Sequence, residues 1–68
     1  MVTYSKRVAD VKVGDFVLPS AFRRLGPGEV VGREQGLNGG TVTLRVEWPS
    51  GARQTFYIFP DERIDVTA

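Results

Sequence analysis

Apolar and polar residues in this chain alternate with a period of two. From 41 to 48, Thr41, Thr43, Arg45 and Glu47 interleave with Val42, Leu44, Val46 and Trp48, the pattern of a strand with one face buried and the other wet. The stretch 52–59 holds Phe56 and Ile58 in one phase and Thr55 and Tyr57 in the other. Shorter runs at 15–18, 28–34 and 64–66 are rich in β-branched or aromatic residues. Between them stand Gly14, Pro19, Gly26-Pro27-Gly28, Gly36, Gly39-Gly40, Pro49-Ser50-Gly51 and Pro60, which cut the chain into pieces too short for ordinary helices. Five strands joined by turns predict an all-β fold, a small barrel.

Two registers are open to the hairpin around Pro49-Ser50-Gly51. A two-residue loop sets Leu44 opposite Tyr57 and Arg45 opposite Phe56. A three-residue loop with Gly51 left-handed sets Leu44 opposite Phe56, Val42 opposite Ile58, Thr43 opposite Tyr57 and Glu47 opposite Arg53. Only the second keeps apolar residues with apolar ones, so it is the register expected. Gly14 is expected to supply the positive φ of a tight turn before the first strand. The segment 19–27 has room for one helical turn, 36–40 reads as a flexible hairpin loop, and 59–63 as a single turn before the closing strand. That closing strand is expected to pair with the first, shortening the exposed edges. Residues 1–10 read as an extension ahead of a barrel spanning 11–68.

Composition narrows the chemistry. With 68 residues the chain is one domain with a small core. It contains no cysteine and no histidine, so a thiolate or imidazole metal site and a Cys- or His-based nucleophile are excluded. No cofactor is expected. Asp61 and Glu62 are adjacent as in a solvated turn, and nothing in the pattern converges on a pocket, so no enzyme is expected. No apolar run is long enough to cross a membrane and no signal-like segment leads the chain, which reads as cytoplasmic. Nine basic residues face eight acidic ones for a net charge of +1, too balanced for binding driven by phosphate neutralisation.

The segments Val13-Gly14-Asp15-Phe16-Val17, Gly26-Pro27-Gly28-Glu29-Val30-Val31 and Leu44-Arg45-Val46-Glu47-Trp48-Pro49-Ser50-Gly51 together resemble the Tudor-like and KOW-like SH3 barrels of bacterial transcription and repair proteins. Examples are the C-terminal domain of UvrD/PcrA-type helicases and the polymerase-interacting domain of CarD-type regulators. The resemblance covers roughly Val11 to Val66, most of the chain, and implies a five-stranded SH3-like barrel. It further implies a module that binds proteins, RNA polymerase among them, and in some relatives nucleic acid.

Candidate contact residues follow from strand phase. Leu44, Val42, Phe56 and Ile58 are expected in the core, with Trp48 as a lid on the barrel end. Phe16, Tyr57, Arg45, Arg53 and Arg33 are expected to face outward, a cation-and-aromatic surface of the kind that binds protein or single-stranded nucleic acid. In the long loop, Ala21 and Leu25 are four apart and are expected to dock together. That would leave Phe22, Arg23 and Arg24 outward as the centre of a binding site, unless Phe22 is itself the docking residue. The leading expectation is a small adaptor for a protein partner, RNA polymerase or other nucleic-acid machinery. The alternatives are a nucleic-acid-binding barrel, and a structural subunit or phage-encoded inhibitor of a host protein.

Overall fold

The computed structural model describes residues 2–37 and 40–67. Within them lie six strands, not five: β1 (Thr3–Arg7), β2 (Phe16–Val17), β3 (Gly28–Gln35), β4 (Val42–Glu47), β5 (Arg53–Ile58) and β6 (Arg63–Thr67). All neighbours are antiparallel, in the order β1-β6-β2-β3-β4-β5. Short 3-10 segments cover Val8–Asp10 and Ser20–Leu25. The sheet curls into a half-barrel with β1 and β5 as its two edges. No helix among the described residues is long and apolar enough to cross a membrane.

The concave face holds the core: Val8, Val11, Val17, Val30, Val42, Leu44, Val46, Trp48, Ile64 and Val66, with no polar residue buried among them. Valine dominates because a branched Cβ fills the narrow gap between curled strands without costing much side-chain entropy. The β4–β5 hairpin takes the expected three-residue register, with Leu44 opposite Phe56 and Val42 opposite Ile58. Gly51 sits at φ 92° and its N–H bonds to the Trp48 carbonyl at 2.9 Å. A side chain at that position would be strained, so the glycine sets the loop length and the loop length sets the register. Gly14 also has positive φ, 99°. As expected, the closing strand meets the first barrel strand, Val66 opposite Val17.

The N-terminal residues do more than extend the barrel. Residues Thr3–Arg7 pair along β6 from Thr67 to Arg63, and Val8 is fully buried. The strand looks polar in sequence because a rim strand has little to cover: four of its five residues are exposed. Of the 36–40 loop, Asn38 and Gly39 lie outside the described residues.

Candidate functional site

The outer face of the β4–β5 hairpin brings three of the expected contact residues together. Arg45 stands opposite Thr55, Thr43 opposite Tyr57, and Glu47 opposite Arg53. Tyr57 is 71% exposed. The Arg45 guanidinium lies directly over Gly32, so close that a Cβ there would fall 2.5 Å from its Nη2. From that position Arg45 Nη1 donates to Glu34 Oε1 at 2.9 Å. Arg53 Nε lies 3.1 Å from Glu47 Oε2. Val31, Arg45, Glu47, Arg53, Gln54 and Thr55 line a shallow groove of about 470 Å³ between these pairs.

Charge on this face differs from a basic stripe. Glu29 on β3, directly opposite Glu47 on β4, joins Glu34 and Glu47 against Arg45 and Arg53, three carboxylates to two guanidinium groups. Each arginine is held by one of the acids. Such exposed pairs add little stability, but they remove the excess positive potential that a phosphate backbone needs.

Arg33 does not join this face. The β3–β4 register shifts between Val30 and Gly32, a bulge that adds one residue and inverts the phase of everything after it. Arg33 therefore sits opposite Leu44, turned toward the concave side. Its Nη2 donates to the Ala9 carbonyl at 3.1 Å and its buried Nε has no partner. Phe16 does face outward, 44% exposed, between Glu29 and Thr67. Three strand spacings, about 14 Å, separate it from Arg53 across the sheet, so it stands apart from Tyr57.

In the long loop the alternative arrangement holds, with Phe22 as the docking residue. Phe22 has φ −125° and ψ 24°, a break between two 3-10 turns. The break swings its ring inward, to 5.6 Å from Trp48 and 5.7 Å from Phe56, the latter edge-on. Ala21 and Leu25, expected to dock, are exposed instead. A regular turn would have put them on one face, but the kink breaks that face. Arg23 forms an ion pair with Asp65, which ties the loop to β6, and Arg24 remains exposed. Trp48 is 2% exposed and its Nε1–H donates to the Gly26 carbonyl at 2.9 Å, the lid position expected of it.

A second groove, unforeseen from sequence, runs between β5 and β6. It has a volume of about 370 Å³, and its walls include Leu18, Ala21, Phe56, Ile58, Ile64 and Asp65. Phe56 and Ile58, expected as core, are only half-buried: they pack against it, but β5 is an edge and no strand among the described residues pairs on its far side. The last strand of a meander is an edge unless another strand closes on it, which was the available signal.

Among the described residues no cluster of three acidic, histidine or cysteine side chains is placed to hold a metal ion. At the opposite rim, Lys6 Nζ bonds Asp15 Oδ2 at 3.0 Å, and the Lys12 N–H donates to the same oxygen at 2.9 Å. The Asp15 hydrogen bond raises the Lys6 pKa above the ordinary lysine value. For Asp15, partial burial pushes upward, but the Lys12 N–H and the Lys6 ammonium together hold the carboxyl below the usual range. The chain matches no protein-family model and no curated protein.

Proposed function

We propose that this chain is a non-enzymatic interaction module of the SH3-like type that binds a protein partner through the outer face of its β4–β5 hairpin. The observation that carries the reading is the charge state of that face. Tyr57, Arg45 and Arg53 form an aromatic and arginine surface typical of protein interfaces, yet each arginine is matched by a carboxylate. A protein ligand can exploit such mixed pairs by rearranging them across the interface. A nucleic acid would meet three acids beside two bases and gain little from counterion release.

The Tudor-like and KOW-like resemblance makes bacterial transcription and repair machinery, RNA polymerase first, the partner class to try. Fluorescent single- and double-stranded oligonucleotides titrated at two salt concentrations test the reading directly. Purified protein is expected to show no saturable binding at low salt. Saturable binding that weakens with salt, and that Arg45→Glu with Arg53→Glu abolishes, would replace the protein partner with nucleic acid.

A further inference from the structure

The two edges of this sheet are not alike. β1 is guarded: it carries Lys6 and Arg7, and the Arg63 side chain wraps over it, donating from Nε to Ser5 Oγ at 2.8 Å and from Nη2 to the Ser5 carbonyl at 3.2 Å. β5 carries a single charge, Arg53 at its start, and no lysine, proline or bulge, so it has fewer of the devices that keep sheet edges from pairing.

The backbone direction on β5 follows from the hairpin. The Trp48 N–H bonds to the Ala52 carbonyl at 2.9 Å, and antiparallel bonded pairs recur every second residue. Gln54, Phe56 and Ile58 therefore turn their peptide groups toward β4. Arg53, Thr55 and Tyr57 turn theirs outward, three donors and three acceptors in a row without a backbone partner among the described residues.

We infer that β5 pairs with β5 of a second copy of this chain, antiparallel about a two-fold axis at Thr55. Isologous pairing requires the strand to be complementary to itself, and this register engages all three outward residues at once. On the outer face it sets Thr55 against Thr55 of the second copy, and each Arg53 against the other copy's Tyr57, a cation–π pair. On the concave face it sets Phe56 opposite Gln54, with the two Phe56 rings on the diagonal, within reach of each other. The half-exposed Phe56 wall of the seam groove is thereby covered. Shifting the register so that Arg53 meets Arg53 would oppose like charges.

Strand pairing over five residues buries less than the roughly 1,200 Å² of a standard stable interface, so the dimer forms at high concentration and dissociates on dilution. The inference goes beyond the protein-partner reading and does not depend on it, although the pairing would align two outer-face grooves side by side.

Sedimentation velocity up to about 1 mM tests the association, and disulfide capture tests the register. Because the chain has no cysteine, Thr55→Cys introduces a single thiol. Across the two-fold its Cα lies about 5.5 Å from its mate, within disulfide reach. Tyr57→Cys places its thiol about 14 Å from its own mate, out of reach. The parent is expected to shift from monomer to dimer with concentration, and Thr55→Cys to cross-link at least tenfold faster than Tyr57→Cys under the same oxidant. Thr55→Pro removes only an outward N–H, which edge strands tolerate, and is expected to weaken association at least tenfold. If Thr55→Pro misfolds by circular dichroism, the cysteine pair still decides. A parent that stays monomeric throughout, or equal cross-linking by both cysteine variants, would overturn the inference and leave the edge to a foreign strand or to none.

Discussion

Replacing Phe22 by alanine separates a loop that anchors the barrel from a loop that displays a binding residue. The ring packs at 5.6 Å on Trp48 and 5.7 Å on Phe56 and is half-buried. Truncating a fully buried phenylalanine costs about 3–5 kcal/mol. A half-buried one loses roughly half the contact, about 2 kcal/mol, including the two aromatic contacts. At this chain length each kcal/mol moves the melting temperature by about 4–8 °C, so Phe22→Ala should melt about 8–16 °C below the parent. Arg24→Ala, in the same loop but exposed and without an ion-pair partner among the described residues, should stay within about 0.5 kcal/mol. Arg23→Ala falls between, since its pair with Asp65 is largely exposed and is worth at most about 1 kcal/mol. Thermal and urea unfolding followed by far-UV circular dichroism measure all three. A Phe22→Ala protein that melts within about 2 °C of the parent would refute the anchoring role and return Phe22 to the surface.

Gly28→Ala should destabilise by about 1–3 kcal/mol through overpacking, because the new Cβ would lie 2.5 Å from Val46 Cγ1 and 2.7 Å from Trp48 Cε2. The emission of Trp48, the only tryptophan, should move to the red as the indole is displaced. An unshifted spectrum with an unchanged melting point would contradict this packing. The Lys6–Asp15 pair predicts a pH dependence with two limbs. The Asp15 pKa is lowered on folding, so its contribution is complete above the unfolded value near 3.8 and is lost as pH falls through the lower folded one. The Lys6 pKa is raised, so its contribution is complete below 10.5 and is lost as pH rises through the higher folded value. Asp15→Asn should therefore be less stable than the parent at pH 7 and approach it near pH 2. A stability gap that stays constant across that range would show that the pair is not coupled to folding.

What the sequence revealed, and what it hid, divides along one physical line. Period-two alternation reports which residues share a face of one strand, and a turn glycine reports loop length. Together they yield the β4–β5 register down to the Glu47–Arg53 pair. Both signals are local. Arg33 was misplaced because the Val31 bulge inserts one residue into the count; Gly32 in mid-strand, where Arg45 needs open space, was its trace. Phe22 was left between two placements because a single non-helical residue orients the loop, and no periodicity spans so short a segment. β1 carries no legible pattern because four of its five residues are exposed, so neither face needs an apolar phase.

The same reasoning explains why the candidate surfaces cluster at β5. A residue in the middle of the sheet has neighbours on both sides, so its alternation is strict and its role legible. At an edge, one set of backbone groups and part of each side chain are left without a partner. Phe56 and Ile58 are apolar although only half-buried, and Tyr57 is aromatic although 71% exposed. Solubility alone would favour polar residues at each of these positions. Their position on the β5 edge, between an outer groove and the β5–β6 seam, is the pattern expected when the strand is covered in use. A second copy paired along β5 would cover it.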